Sequence, residues 1–236
     1  MREEKVTVLI PAYNEESIIR RLVSDTLIVV GAYTKHFEVL VIDDGSTDRT
    51  FDELKKIKNK NLRIVQNRKN IGKTMTILHG FTLAQGSIVS FIDADYQYDP
   101  RDLPKVIEKV KNGADLCVGY REQRQDPVYR KFMSFFFNMF DRLLLGIKIR
   151  DVNSGLKAFR KESFKTITIR YLSARWFIDT EILSRYYHKN YKVEEVPIRH
   201  YRRGDGLSKV NCIKLALETI AYGFRLKYNL IFGPDS

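Results

Sequence analysis

Asp93-Ala94-Asp95 is the part of this sequence whose residue types and spacing say most about chemistry. Two carboxylates separated by one residue leave the apolar run 87–92, and Gln97 offers a neutral oxygen just beyond. Such a set can grip a hard divalent cation, Mg²⁺ or Mn²⁺, which typically takes one or two protein carboxylates and completes its shell with phosphate oxygens and water. The cation would neutralise a diphosphate and stabilise charge as that group leaves. The same residues also suit a plain strand-end turn capped by aspartate. A second acidic cluster, Asp43-Asp44-Gly45-Ser46, can accept hydrogen bonds from a base N–H or from ribose hydroxyls. It can also form an Asx turn, although Thr47 and Asp48 already supply a helix cap; Asp43 reads as partly structural and Asp44 as a ligand contact. A third polar cluster is Pro11-Ala12-Tyr13-Asn14-Glu15. Crowded carboxylates repel one another unless a cation or hydrogen-bond donors hold them, so folding alone is a poor reason for such clusters.

The elements that must position these clusters follow from hydrophobic period. Short β-branched runs at 6–10, 37–42, 62–65, 87–92 and 115–118 read as strands. Helical spacing occupies 15–30, 48–57, 72–84 and 100–111. This alternation predicts an α/β fold: one Rossmann-like, mostly parallel sheet with helices on both faces. Ligands in such sheets bind beyond the carboxyl ends of the strands, and all three polar clusters fall there. The second half is less regular. It holds an aromatic-rich helix over 129–145, a Ser154-Gly155 turn and a C-terminal helix from about 208. The expected organisation is one domain, 1–236, with a regular first half (1–120), a less regular second half (121–209) and a C-terminal amphipathic helix (210–236).

The 236 residues suffice for one buried core, and 44% hydrophobic with 30% charged residues is a globular composition. Cys117 and Cys212 stand alone in apolar settings, which fits a reducing compartment. The net charge is +12, and the segment 199–227 carries seven Lys and Arg against Asp205 and Glu218. That excess suits phosphates, anionic lipid or nucleic acid. Nucleic acid is disfavoured, because the aromatics sit in apolar runs and acids mark the strand ends. A nucleotidyltransferase would need a glycine-rich loop after the first strand, and residues 11–15 are not one. No signal peptide is evident at Met1, and no apolar run reaches the ~20 residues that span a bilayer. The nearest approach, 132–147, is broken by Asn138, Asp141 and Arg142. A membrane role would therefore be peripheral.

The strings Val8-Leu9-Ile10-Pro11-Ala12-Tyr13-Asn14-Glu15, Val41-Ile42-Asp43-Asp44-Gly45-Ser46-Thr47-Asp48 and Asp93-Ala94-Asp95-Tyr96-Gln97 together resemble the signatures of family-two glycosyltransferases of GT-A fold. Within that family the chain is most similar to the dolichol- or polyprenol-phosphate mannose synthase branch and its glucosyl relatives. The branch rests on Val118-Gly119-Tyr120-Arg121, on Arg130 with Ser134, on Asp151-Val152-Asn153-Ser154-Gly155, and on Val193-Glu194-Glu195-Val196-Pro197-Ile198 followed by Arg203 and Lys209. The resemblance implies that Pro11, Tyr13, Glu15, Ile42 and Asp44 hold the nucleotide. It implies that Asp93 and Ala94 line the donor site, that Asp95 and Gln97 carry the metal, and that Arg121, Arg203 and Lys209 bind phosphates. Arg130 and Ser134 match the acceptor-phosphate site. The chain departs from relatives at Gly72-Lys73-Thr74-Met75, which lacks a second glycine, and at Asp205, an acid in the basic loop.

The implied reaction is inverting transfer of a hexose, mannose or glucose, from a GDP- or UDP-sugar to a dolichyl or polyprenyl phosphate. The alternative is transfer to a glycan hydroxyl. A phosphate monoester has a second pKa of about 6 and is already anionic, so it needs cations more than a base. A hydroxyl acceptor would need one, and Asp179 or Glu181 would be the candidates. The aromatic helix and the C-terminal helix suit either a core or a membrane interface. The expected location is the cytosolic face of a membrane, with a separate anchoring subunit as a further partner and no nucleic acid.

Overall fold

The computed structural model describes residues 4–122, 128–170, 177–201 and 212–233, with only the backbone described at 128–135, 137 and 212–217. Seven strands form one sheet: β1 (Val6–Ala12), β2 (Phe37–Asp43), β3 (Leu62–Gln66), β4 (Ile88–Ile92), β5 (Leu116–Arg121), β6 (Leu156–Arg160) and β7 (Val193–Ile198). Their order is β3-β2-β1-β4-β6-β5-β7. Every pairing is parallel except those of β6, which runs antiparallel to both β4 and β5. The central strands are buried on both faces, which is why they read as near-continuous apolar runs. The sheet is continuous through both halves of the chain, since β5 lies between β6 and β7.

Eight α-helices accompany these strands among the described residues: α1 (Ile19–Tyr33), α2 (Thr50–Lys55), α3 (Lys73–Leu83), α4 (Leu103–Lys111), α5 (Val128–Leu145), α6 (Lys161–Lys165), α7 (Ile178–His188) and α8 (Cys212–Phe232). One face of the sheet packs on α1 and α4 through Leu22, Val23, Val106 and Ile107. The other packs on α3, α7 and α8 through Ile77, Phe81, Ile182 and Leu226. Helix α1 begins four residues later than its period suggests. Asn14 takes a left-handed φ of 54°, and the amides of Glu15 and Glu16 donate to Thr50 Oγ1 (2.8 Å) and Asp48 (3.2 Å) instead of starting a helix.

Strand order reverses at β1, whose neighbours are β2 on one side and β4 on the other. The crevice beyond the carboxyl ends of β1 and β4 is thus the switch point at which sheets of this kind bind ligands. Because β6 is antiparallel, its start, not its end, reaches the same edge: Ile92 pairs with Leu156, and the Asp93 amide donates to Gly155 O at 3.2 Å.

Helix α5 carries a buried carboxyl in apolar surroundings. Asp141 is 1% exposed, Thr180 Oγ1 donates to its Oδ2 at 3.0 Å, and Oδ1 has no hydrogen-bond partner among the described residues. Burial raises its pKa to about 7, with only the Thr180 bond pulling the other way. The folded protein therefore keeps a proton that the unfolded chain releases near pH 4. Stability should fall by roughly 1 kcal/mol per pH unit from about pH 4 to 7 and then level off. Asp141→Asn should flatten that slope and be more stable than the parent at pH 8, as read from urea unfolding at pH 5, 6, 7 and 8.

Candidate active site

The first wall of the crevice is built from Asp43 and Asp44. Asp43 is fully buried; it accepts from the Ser46 hydroxyl, from the Ser46 amide at 3.3 Å and from Gln66 Nε2 at 2.8 Å. Asp44, 3% exposed, accepts from Asn67 Nδ2 at 2.8 Å and the Ile71 amide at 3.0 Å on Oδ1, and from the Gly72 amide at 2.9 Å on Oδ2. Asn67 in turn meets His79 Nδ1 at 3.1 Å. The sequence reading gave Asp44 to the nucleotide alone. The structure also gives it the task of tying the turn before α3 to the end of β2. Gly45 has φ 67° and lies so close to Lys69 and Asn70 that a Cβ would stand 2.6 Å from backbone, so this turn admits no side chain.

Asp48 bonds the start of α2 from one residue before its N-cap, which is Arg49 and not Asp48. Its Oδ1 accepts from the Thr50 amide (2.9 Å) and hydroxyl (2.6 Å), and its Oδ2 from the Glu16 amide. Burial opposes, but these bonds outweigh it and lower the Asp48 pKa. Asp44→Ala removes the acceptor of Asn67 Nδ2 and of the part-buried Ile71 and Gly72 amides and should cost about 2 kcal/mol, whereas Asp48→Ala should cost about 1 kcal/mol. Thermal unfolding of the two variants checks this order. Donor binding should fall only for Asp44→Ala.

The second wall is the β4 turn. Asp95 Oδ1 accepts from the Gln97 amide at 3.1 Å, and Tyr96 takes a left-handed φ of 56° to close the turn. Gln97 Nε2 donates to Tyr201 O at 3.3 Å, and the Tyr201 amide donates back to Gln97 O at 2.8 Å. With its amide nitrogen so held, the Gln97 side-chain oxygen is oriented away from Tyr201. The segment leading to Arg203 is clamped below the turn. Arg199 pairs with Asp102 (2.9 Å) and Asp99 (3.2 Å), and Tyr201 donates to Asp99 at 2.9 Å. Burial works against the Asp99 carboxylate, yet Arg101, Tyr201 and Arg199 hold its pKa down at about 2.

No three His, Cys, Asp or Glu side chains among the described residues form a cage for a metal. Asp95 with Gln97 offers one carboxylate and one amide oxygen, a set that fits a Mg²⁺-type cation only if bound phosphates supply further ligands.

The third wall joins residues far apart in sequence. Lys73 Nζ, at the start of α3, lies 2.5 Å from Asp93 Oδ1. Lys157, wholly buried on β6, donates to Asp179 Oδ1 at 2.7 Å and to Ser154 O, with its ammonium 5.5 Å above the Phe91 ring. Burial disfavours the Lys73 ammonium, but Asp93 and Asp179 outweigh it and raise its pKa. A Cβ at Gly155 would lie 2.2 Å from Asp93 Oδ2 and 2.7 Å from the Tyr98 ring, so only glycine leaves room for that carboxylate. Sequence reading singled out Gly155 by its motif and missed Lys73 and Lys157 as site members. A lysine inside the apolar strand Leu156–Arg160 was the available signal, because a buried lysine needs a partner.

The remaining candidates divide by position. Pro11, Tyr13 and Glu15 flank the crevice beyond β1; Pro11 and Glu15 are half-buried and Tyr13 is 42% exposed. Ile42 is buried in the core beneath it, and Ala94 is buried in the β4 turn. Arg121, at the end of β5, is engaged by Asp151: Nε to Oδ2 at 2.6 Å and Nη2 to Oδ1 at 2.7 Å. Arg130 and Ser134 stand about one turn apart on α5, their side chains outside the described residues. Arg203 and Lys209 lie outside the described residues altogether. Glu181 is removed from the candidate bases. It is fully buried, and its Oε1 accepts from Arg185 (2.8 and 3.0 Å) and from the Arg170 amide (2.8 Å).

The sequence profile of "Glycosyl transferase family 2" matches residues 7–168, more than half of the chain, including Asp44, Lys73, the β4 turn and Lys157. The chain belongs to this family. Relatives in family 2 include the dolichol-phosphate mannosyltransferase of Pyrococcus furiosus, 32% identical over 94% of this chain and 63% of its own length. The undecaprenyl-phosphate 4-deoxy-4-formamido-L-arabinose transferase of Pectobacterium atrosepticum is also 32% identical, over 90% and 64%. The dodecaprenyl-phosphate galacturonate synthase of Rhizobium johnstonii is 27% identical, over 95% and 68%. The chain thus spans about two thirds of the length of these curated relatives. Among solved structures, glucosyl-3-phosphoglycerate synthase from Mycobacterium tuberculosis, crystallised with Mn²⁺, UDP and phosphoglyceric acid, superposes with a TM-score of 0.71. It is 18% identical, with 99% of this chain and 80% of that one covered. The family-2 chain described here accordingly has a GT-A fold, a single α/β domain.

Proposed function

We propose that this family-2 glycosyltransferase moves a hexose from a nucleotide-diphosphate sugar to a polyprenyl-type lipid phosphate, with inversion at the anomeric carbon. The observation that carries this reading is the placement of Asp93 and Asp95 at the β1/β4 switch point, across from the Asp44 turn. A nucleotide at the β1 and β2 ends would bring its diphosphate to the β4 turn. There Asp95 and Gln97 would hold a divalent cation, which when bound neutralises the leaving diphosphate. Pro11, Tyr13 and Glu15 would line the nucleotide pocket, with Ile42 beneath it. Asp44 would shape that pocket through Ile71 and Gly72. Arg203 and Lys209 would add positive charge around the diphosphate.

The acceptor follows from the other side of the site. An oxygen of the lipid phosphate attacks the anomeric carbon as the bond to the nucleoside diphosphate breaks on the opposite face. The nucleophile is already anionic and needs no base. Arg121, Arg130 and Ser134 are the residues proposed to hold it. The curated relatives are named for three different sugars, but each of their names carries a polyprenyl or dolichol phosphate, which favours the lipid acceptor over a glycan hydroxyl.

The surface supports work at a lipid boundary. Helices α5 and α8 pack together through Phe140 and Phe224 and through Gly223, whose added Cβ would meet Phe140 at 2.6 Å. Side by side they expose Phe136, Met139 and Leu143 on α5, and Phe224, Tyr228 and Phe232 on α8. No helix among the described residues is long and apolar enough to cross a membrane. An amphipathic pair of this kind can lie in the headgroup region.

The decisive test is transfer from labelled UDP-glucose and GDP-mannose, with Mg²⁺, to a polyprenyl phosphate or to a free oligosaccharide. A β-linked lipid-phosphate hexose from an α-linked donor is the expected product, and Arg130→Ala should lower its formation about 10- to 100-fold. Transfer to the oligosaccharide alone would sink the lipid reading.

A further inference from the structure

Tyr96 has no part in the scheme above, yet it stands between the two residues given to the cation. Its backbone takes the left-handed region at φ 56°, an unfavourable place for a bulky side chain unless its surroundings hold it there. The turn depends on that conformation. Asp95 Oδ1 accepts from the Gln97 amide across Tyr96, so a return of Tyr96 to negative φ would swing that amide off the carboxylate. Asp95 and the Gln97 side chain would then part.

The two ends of the turn are fixed through backbone groups. The Asp93 amide donates to Gly155 O, and Gln97 exchanges bonds with Tyr201. Tyr96 itself is fixed by its side chain. The ring packs against the core on the side of α1, and its hydroxyl donates to Asp25 Oδ2 on that helix. Arg21, one turn earlier on α1, attends both partners. Its guanidinium carbon lies 5.1 Å from the ring centroid, and its Nε lies 3.8 Å from Asp25 Oδ2. Burial, and then the Asp25 carboxylate, push the phenol up to about 12, so it stays a proton donor at neutral pH. Helix α1 continues the loop beyond β1, where Glu15 O accepts from the Ile18 and Ile19 amides. The Tyr96 side chain therefore ties the β4 turn to the element that carries Tyr13 and Glu15.

We propose that Tyr96 is a positioning residue: strapped to Asp25 of α1, it holds the β4 turn in the form that brings the Asp95 carboxylate and the Gln97 oxygen to one cation. This rests on the metal reading of Asp95 and Gln97 given above. Tyr96 touches neither cation nor sugar and acts only through its two neighbours.

Mn²⁺ titration of the full chain with UDP or GDP present tests this without turnover. Electron paramagnetic resonance reads the free ion, corrected for Mn²⁺ held by the nucleotide alone. Tyr96→Phe keeps the ring and removes the donor, whereas Asp25→Ala removes the acceptor from α1. Each should weaken Mn²⁺ binding by about three- to tenfold, the size of one partly exposed hydrogen bond to a charged group. The double variant should lose no more than the worse single variant, because both changes break the same bond. Asp25→Asn, which keeps an acceptor oxygen, should recover most of the affinity. Lower melting temperatures with unchanged Mn²⁺ affinity in both single variants would make the strap a stabiliser of the fold only, and overturn the proposal. Losses that add in the double variant would separate the two side chains and overturn it equally. A parent chain that binds no Mn²⁺ with either nucleotide, or an Asp95→Ala variant that binds it as the parent does, would instead bring down the metal reading, and this proposal with it.

Discussion

Asp95→Ala is expected to lower Mg²⁺-supported transfer by about a thousandfold or more and to leave the fold almost untouched. The two halves of that expectation have separate origins. On the structural side, Asp95 is only half-buried and accepts from an amide of its own turn, Gln97 N at 3.1 Å. Losing such a bond typically costs about 0.5–1.5 kcal/mol, a few degrees in melting temperature for a chain of this size. On the chemical side, no three-residue acidic or histidine cage among the described residues stands nearby to hold a cation without Asp95. A cation shared with a bound diphosphate would lose the Asp95 carboxylate and with it much of the means of stabilising the leaving charge. Rates across a Mg²⁺ titration, with melting curves in parallel, test both halves. Full activity of the parent in excess chelator would remove the metal role of Asp95 and Gln97. Gln97→Ala should show a smaller effect, because a neutral oxygen contributes less than a carboxylate.

Much of the fold could be read from the sequence because its strands are buried on both faces. Residues 6–10, 37–42 and 87–92 are mostly apolar, broken only by Thr7, Glu38, Ser87 and Ser90, and such near-continuous runs are typical of a parallel, doubly covered sheet. The antiparallel insertion of β6 was not legible in this way. Its direction depends on pairing with Ile88–Ile92 and Leu116–Val118, contacts that leave no mark in the local pattern. The start of α1 was hidden for the same reason: Thr50 and Asp48, more than 30 residues away, capture the amides that would have begun it.

The site was legible where its residues follow one strand and illegible where they converge from several. Asp93, Asp95 and Asp44 announce themselves as acids at strand ends. Lys73 and Lys157 find their partners 20 and 22 residues away, across strands whose order is itself non-sequential. Asp44 carries a scaffold task that its place at a strand end did not show. An acid at a strand end invites a ligand, but here three N–H groups of the protein already occupy both its oxygens.

The same distinction between chemistry and scaffold applies to α7, where Glu181→Ala should be the most destabilising of the single changes considered. Glu181 is fully buried and Arg185 nearly so, and removing the acid leaves a guanidinium and the Arg170 amide without their acceptor. Breaking a buried pair from one side typically costs about 3–5 kcal/mol. Any activity lost in Glu181→Ala should follow the unfolded fraction and return on cooling or with a stabilising osmolyte. Asp179 calls for a different substitution, since alanine would strand the buried Lys157 and mimic a catalytic loss. Asp179→Asn keeps the shape and an acceptor oxygen for Lys157 while removing the charge that a base would need. With a lipid phosphate as nucleophile there is no proton to remove, so Asp179→Asn should retain kcat within about tenfold. With a hydroxyl as nucleophile, loss of the base should cost about 10²- to 10⁴-fold. Rates of Asp179→Asn with polyprenyl phosphate, taken at a temperature where circular dichroism shows the variant folded, decide between the two acceptors. A loss of a hundredfold or more there would place a proton transfer at Asp179 and turn the assignment toward a hydroxyl acceptor.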